Sequence, residues 1–537
     1  MADALDERYW RPRRACARLL DGTGFPAGNR HETTGTCPHR STASGERYLI
    51  SANGRTRTLL AHSYYLRYDP KQMRKMKPYP PLATLIAASV LREKGFEVHL
   101  FDAMLAAGVE EFYTTLDDVK PSIVGIVEDN FNFLTKMCTV RMREAALDMI
   151  RAAKAMGCRV AVSSPDTAGH AGLYLKAGAD AVIVQEPEHA FTDLVELWSS
   201  NSNAGSENIP GLALGTFPIK PGDGNGHLRQ TAARPFIQDL DSLPFPAWDL
   251  VDVERYRSVW TKTHGHFSWN VVTSRGCPYQ CNWCAKPLFG TRYAQRSAGN
   301  VAEELRRLRE SVIPDHVWFA DDIFGLTSRW IEAFSREVIA RDARIPFMMQ
   351  SRVSLMKPEV VAALAEAGAQ EVWLGVESGS QKVLDDMDKG TKIEQVRAAT
   401  RTLKEHGIRT CWFIQLGYLG EEWEDIILTR DLIRKERPDD IGVSVSYPLP
   451  GSKFYELVKG QLGAKSNWND SDDLAMMFQG TYGTQFYKMA RDLLHHEVNA
   501  GLAGDHAASH NSDDEWNDLA RREGEFRASH APHASGG

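Results

Sequence analysis

Cysteine is scarce in this chain: there are eight in 537 residues, and Cys16, Cys37, Cys138, Cys158 and Cys411 are scattered, which excludes the dense disulfide framework of a small secreted domain. Long apolar runs are missing too. None reaches the roughly 18–20 residues of a membrane span, and the first thirty residues lack the apolar stretch of a secretory signal, so a cytoplasmic chain with no transmembrane segment is expected. There is no excess of positive charge. A net charge of −7 and a pI near 6.2 leave nothing to attract polyanions in general, and the basic stretch at 11–14 stands alone. With neither a phosphate loop nor a basic groove in the sequence, nucleic acid is set aside as a partner, and a small or lipid-like molecule is the default substrate. What the chain does have is length and a 43% hydrophobic composition, enough for more than one core. At roughly one domain per 150 residues, two or three domains are expected.

Residues 1–56 mix Arg, Gly, Thr and Ser without a sustained period and read as a poorly ordered extension. Five apolar strand candidates follow, at 57–65, 96–103, 122–129, 158–165 and 179–186, and they alternate with helix candidates. That alternation predicts an α/β domain over 57–200 with a parallel, doubly wound, Rossmann-like (flavodoxin-like) sheet. The helix at 80–95 opens on Pro80 and Pro81 and closes on Gly95, matching the usual start and stop chemistry. Ser, Asn, Gly and Pro dominate between 199 and 250, which places a linker over 201–260.

Six more strand candidates occupy 269–276, 316–322, 347–353, 371–378, 409–417 and 441–450, with helical segments such as 301–310 and 358–368 between them. Six βα units predict a partial (β/α)₆ barrel of the TIM type over 261–455, with its chemistry at the carboxyl ends of the strands. A mostly helical extension is expected over 456–503. Its aromatic and methionine-rich part, 473–489, reads as packing rather than a lid. From 504 to 537 the sequence turns polar and reads as a disordered tail.

The remaining three cysteines, Cys277, Cys281 and Cys284, directly follow the first barrel strand in "SRGCPYQCNWCAK". Thiolates at spacings of four and three favour soft metals. Structural zinc wants four ligands, commonly as paired C-x₂-C units, and only one such pair is present. A four-iron cluster usually takes four thiolates, and with three one iron keeps an open position. The bland alternative is three incidental buried thiols.

This Cys-x₃-Cys-x₂-Cys motif after the first strand of a six-unit partial barrel resembles the radical S-adenosylmethionine (SAM) superfamily. The resemblance implies a [4Fe-4S] cluster on Cys277, Cys281 and Cys284 whose open iron binds SAM, with one electron cleaving SAM to methionine and a 5′-deoxyadenosyl radical. It further implies roles for residues at strand ends. Trp283 would lie beside the adenine, Glu377 and Ser378 in "GVESGS" would contact the ribose, and Gly417 in "LGYLGE" would lie near the adenine. Asp321 and Asp322 in "FADDIF" would hold the SAM amino group, and Arg352, with Gln350, the carboxylate. Bland readings stand beside these: acidic residues at strand ends also cap loops, and an arginine also serves a structural salt bridge.

The segments 77–85 and 243–250, together with the doubly wound domain, resemble the subgroup with an N-terminal cobalamin-binding domain, a likeness covering about 57 to 490. It implies cobalamin at the carboxyl ends of the first sheet, with His62 and Tyr64 facing cobalt or corrin and Asp129 and Asn130 touching corrin amides. The D-x-H-x-x-G signature that ligates cobalt elsewhere is absent: Asp166 and His170 in "DTAGHAG" are four apart. "QEPE" at 185–188 also replaces both glycines of the Gly-Glu-Gly-Glu turn often seen at this point in the subgroup. The expected activity is methyl transfer to an unactivated carbon, fed by a donor such as flavodoxin or ferredoxin. The same scaffold supports radical cyclisation or rearrangement, and a non-catalytic binding or sensing protein is the alternative of another class.

Overall fold

A computed structural model describes residues 56–131, 134–200, 205–216, 227–284, 292–503 and 506–527. The expected N-terminal extension up to residue 55, two pieces of the expected linker and the last ten residues lie outside the described residues.

The first sheet comprises β1 (Arg57–Ala61), β2 (Glu97–Phe101), β3 (Ile123–Val127), β4 (Arg159–Ser163), β5 (Ala181–Ile183), β6 (Leu212–Thr216) and β7 (His227–Gln230). Their order is β2-β1-β3-β4-β5-β6-β7, with the first five parallel. The 2-1-3-4-5 order is the flavodoxin-like winding, which places a ligand crevice where the chain reverses direction between β1 and β3. Alternation along each strand decides which helices cover which face. Leu59, Ala61, Val124 and Ile126 pack with the helices Val109–Val119 and Val140–Ala155. Leu60, Ile123 and Val127 pack with Leu82–Glu93 and Pro187–Ser199.

The expected linker is partly sheet. Its segments Leu212–Thr216 and His227–Gln230 form β6 and β7, which add to β5 in antiparallel fashion, and Val253–His264 is a helix. The short alternation in "LALGT" was masked by the Ser, Asn and Gly around it.

The second sheet comprises β8 (Ser268–Val271), β11 (His316–Phe319), β12 (Phe347–Ser351), β13 (Ala369–Glu377), β14 (Arg409–Leu416) and β15 (Asp440–Val445), all parallel, in the order β15-β14-β13-β12-β11-β8. This is the curled half-barrel, with helices such as Ala298–Ser311, Ser328–Ala340 and Ile393–Glu405 outside it. Between β8 and the cysteines the chain makes a short antiparallel pair, β9 (Ser274–Gly276) with β10 (Tyr293–Gln295). The expected first barrel strand is thus two pieces, bent at Val272 and Thr273.

The helix Thr484–Ala503 packs on β15 and on the helix Trp423–Glu436. The tail expected to be disordered is helical over His506–Arg521 and Glu523–Phe526. Its composition is polar, but Trp516 and Leu519 stand three apart on one helical face and are each 1% exposed. Glu497 completes the anchor, accepting from Trp516 Nε1 at 2.8 Å and pairing with Arg434 and Ser512. No helix among the described residues is long and apolar enough to cross a membrane.

Candidate functional site at two facing strand mouths

The bend after β8 is held by Asp321. Its buried carboxylate accepts from Thr273 N (3.1 Å), Thr273 Oγ1 (2.8 Å) and Ser274 Oγ. Burial pushes this carboxyl up to about 6, against those hydrogen bonds. Its backbone oxygen accepts from Gln350 Nε2 at 2.6 Å. The arrangement aims the chain from β9 into the cysteine loop. Asp321, expected at the SAM amino group, therefore faces the bend, and Asp322 pairs with Lys136 of the first domain at 3.1 Å.

Cys277, Cys281 and Cys284 are half-buried in the loop that follows β9. Asn282 pins its second half on four sides. Asn282 N donates to Met387 O (3.1 Å) and Nδ2 to Asp386 O (2.6 Å), while Oδ1 accepts from Tyr418 OH (2.9 Å) and Phe454 N donates to Asn282 O (2.9 Å). Cys284 N also bonds Cys281 O at 3.2 Å, closing a tight turn. Asn282 was missed in the sequence; its place between two cysteines was the only signal.

Cations surround the loop. Arg352, at the end of β12, donates from Nη1 to Cys281 Sγ at 3.2 Å and from Nη2 to Lys389 O, and its guanidinium lies 3.9 Å from the Tyr279 ring centre. Lys389 Nζ donates to Glu377 Oε1 at 2.6 Å and stands 5.8 Å from the Trp283 ring. Glu377 and Lys389 are both 5% exposed. Glu377 ends β13 at a bulge, with φ +69°, a region where a side chain costs about 1–3 kcal/mol and where strain marks functional positions. Nothing in the sequence points to Lys389, twelve residues on from Glu377.

Two further contacts complete this rim. Gly417, φ +74°, donates its N–H to Glu421 Oε2 at 2.6 Å. Glu421 is fully buried, and burial pushes its carboxyl up to about 8. Ser378 Oγ lies 3.3 Å from Thr429 Oγ1 and accepts from Ser380 N at 3.1 Å, so it braces the turn after β13.

In the first domain, the predicted residues divide. His62 Nε2 lies 2.9 Å from Asp102 Oδ1, and Tyr256 OH donates to Asp102 Oδ2 at 2.7 Å. Burial lowers the His62 pKa and Asp102 raises it, with a net upward shift. Tyr64 OH donates to Asp69 Oδ2 at 3.4 Å, deep beside Ser471. Both side chains are thus engaged within the protein. Asp129 and Asn130 lie at the carboxyl end of β3, both buried. Asp129 accepts from Ala83 N and Phe131 N, and burial pushes it up to about 6. The oxygens Asn130 Oδ1 and Glu128 Oε2 are buried with no hydrogen-bond partner, the kind of debt a ligand's N–H groups settle.

The two domains meet at their strand mouths. Arg275 of β9 donates to Glu186 Oε1 and to Glu188 Oε1, each at 2.6 Å, and all three side chains are at most 5% exposed. Glu186 and Glu188 are the carboxylates of the "QEPE" turn after β5. Phe131 packs with Val272 and Ala320, the residues just past β8 and β11. With the Lys136–Asp322 pair, the carboxyl ends of β3 and β5 face those of β8 and β11.

Among the described residues no three Cys, His, Asp or Glu side chains converge tightly enough to hold a single metal ion. A four-iron cluster makes no such demand, since its thiolates attach at separate corners. The residues present fit it: three thiols on one anchored loop, cations beside them, and buried unpartnered polar atoms at Trp283 Nε1, Ser351 Oγ, Arg352 Nε and Glu421 Oε1 along the strand ends.

Residues 271–433 match the family model of the radical SAM superfamily, and they form a radical SAM domain, which implies SAM and a [4Fe-4S] cluster. Among curated proteins the chain is similar to an uncharacterized methyltransferase of Pyrococcus horikoshii, 28% identical over 401 residues that cover 72% of this chain and 81% of the relative. Among solved structures it resembles the radical SAM methyltransferase TsrM of Kitasatospora setae, solved with cobalamin and a [4Fe-4S] cluster bound. The TM-score is 0.60 at 19% identity, covering 76% of this chain and 75% of that one. It also resembles the cobalamin-dependent SAM radical enzyme OxsB, solved with aqua-cobalamin, with a TM-score of 0.58 at 18% identity, covering 71% of this chain and 52% of OxsB. These structural likenesses define the fold, in which a flavodoxin-like domain precedes the half-barrel.

Proposed function

We propose that this protein is a cobalamin-dependent radical SAM methyltransferase that alkylates an unactivated carbon of a small or lipid-like molecule, with electrons from a donor such as flavodoxin or ferredoxin. One observation carries the reading: the ligand-binding ends of a flavodoxin-like sheet lie opposite the cysteine loop of the half-barrel, locked there by Arg275, Glu186 and Glu188. When bound, the cluster supplies the electron that splits SAM, and cobalamin supplies a methyl group to the substrate carbon. The chain's own residues arrange that encounter. Asn282 and Asp321 fix the cysteine loop, and Glu377, held by Lys389, offers a carboxylate to the SAM ribose. Asn130 and Glu128 offer buried acceptors for the N–H groups of corrin amides. His62 is held by Asp102, and the Asp166–His170 pair is tied to Arg143, so neither histidine would be free to hold the cofactor.

The test is anaerobic reconstitution with iron, sulfide, cobalamin and methyl-labelled SAM, followed by mass spectrometry of what SAM becomes. S-adenosylhomocysteine formed only with cobalamin present, together with 5′-deoxyadenosine, is expected. Formation of 5′-deoxyadenosine alone would favour ring closure or rearrangement. A cluster whose EPR signal does not change on adding SAM would make the site closed and structural, and the proposal would fail.

A further inference from the structure

Arg352 does more than line the barrel mouth. Its guanidinium is held on three sides: Nη1 donates to Cys281 Sγ at 3.2 Å, Nη2 donates to Lys389 O, and the plane rests 3.9 Å from the Tyr279 ring centre. It is 8% exposed. A side chain fixed this way spends little rotamer entropy on each bond, and arginine stays charged at any working pH. The sulfur it meets is a cluster ligand by the radical SAM assignment, whatever the reaction's product turns out to be.

We infer that Arg352 is a positioning residue for Cys281 that sets the cluster's reduction potential through a charge-assisted N–H···S bond. The physical reason is charge. A cluster carrying three thiolates is anionic and gains one more negative charge on reduction, so a fixed cation with its N–H on a ligand sulfur stabilises the reduced form more than the oxidised one. Hydrogen bonds to the sulfurs and net charge are the levers by which proteins move such potentials. Lys389 is a weaker contributor, because Glu377 neutralises it at 2.6 Å. Arg352 is thereby the main uncompensated cation at the Cys281 sulfur among the described residues. The Coulomb term is large in so buried a place.

The role is distinct from holding the SAM carboxylate, the function expected for this side chain from sequence, and the experiment separates the two. The full chain and its Arg352→Met and Arg352→Lys variants are reconstituted anaerobically with iron and sulfide alone. Iron and acid-labile sulfide are assayed, and the cluster is titrated by EPR against redox mediators without SAM or cobalamin. Arg352→Met is expected to keep its iron and to reduce at a more negative potential. Arg352→Lys, which keeps the charge and loses the planar fork, should shift in the same direction by less. If the Met variant fails to hold iron, Arg352→Gln, neutral but still able to donate an N–H to the sulfur, decides: a negative shift supports the assignment and a wild-type midpoint overturns it. An iron-replete Met variant with the wild-type midpoint overturns it as well, including the case in which SAM affinity alone is weakened.

Discussion

Replacing Glu377 by alanine does two things at once, because its partner is buried with it. On the proposed reading the SAM ribose loses a carboxylate, and Lys389 is left as an unpaired ammonium at 5% exposure. Breaking such a pair costs about 3–5 kcal/mol. Glu377→Ala is therefore expected to keep its iron, bind SAM more weakly and also unfold at lower denaturant, whereas Glu377→Ala with Lys389→Met recovers stability but not SAM affinity. Equal SAM affinity in the double variant, measured by isothermal titration, would remove Glu377 from the ribose. The cysteines give a sharper contrast. Each of Cys277→Ala, Cys281→Ala and Cys284→Ala should lose most bound iron and all 5′-deoxyadenosine formation, since a cluster one protein ligand short has none to spare. Cys158→Ala and Cys411→Ala should keep both. Their thiols are buried in the core, and burial pushes Cys158 up to about 11. At this scale the sequence was readable where spacing set side chains on one loop, as with the three cysteines. It was silent where a side chain acts through a partner distant in the chain: Lys389 on Glu377, Asn282 under Tyr418, and Asp321 turned from ligand to brace.

A prediction at the scale of elements rests on Gly379, where the turn after β13 passes the helix Trp423–Glu436. A Cβ there would stand 2.4 Å from Leu428 O and 2.5 Å from Thr429 Cα, both backbone atoms that only a shift of the helix relieves. Gly379→Ala should cost about 1–3 kcal/mol, read as a lower unfolding midpoint, and, on the proposed placing of the SAM ribose at Glu377 and Ser378, should weaken SAM binding. The turn after β14 gives a pH signature. The Glu421 carboxyl is raised by burial to about 8 in the fold and reverts to an ordinary carboxyl when unfolded. Between those values the folded chain holds a proton the unfolded chain has lost, so this group's stabilisation, full at acid pH, is lost as pH rises to 8, by about 1.4 kcal/mol per unit. Glu421→Gln should flatten the decline of unfolding temperature from pH 5 to 8 relative to the wild type. Parallel curves would place the carboxyl in water. The elements themselves were legible because apolar periods of two and 3.6 dominate them, and the strand candidates at 122–129 and 409–417 contain β3 and β14. The polar helix His506–Arg521 was not, since the two buried apolar side chains among its described residues, Trp516 and Leu519, are too few to lift a composition average.

At the scale of the whole molecule, the two domains were each visible in the sequence, but the way they meet was not, because the interface is made by charges that a sequence shows only as isolated letters. "QEPE" departs from a glycine-rich turn, yet Glu186 and Glu188 both grip Arg275, two residues before Cys277. Burial pushes the Glu186 carboxyl up while Arg275 pulls it down, so removing the arginine alone leaves two carboxylates buried without their cation. Arg275→Ala is expected to lose about 3–5 kcal/mol and to yield little soluble protein. The informative variant removes all three charges together, Arg275→Met with Glu186→Gln and Glu188→Gln, which restores a neutral interface of similar volume. Each half of that protein should still load its own cofactor, with iron content and cobalamin affinity near wild type. The strand mouths would no longer be held in register, and a displacement of about 1 Å between reacting groups costs about 100-fold in rate. Cobalamin-dependent formation of S-adenosylhomocysteine should therefore fall by about that factor while iron and cobalamin content hold. A wild-type rate in the neutral triple variant would show that the packing of Phe131 against Val272 and Ala320 aligns the domains without the charges.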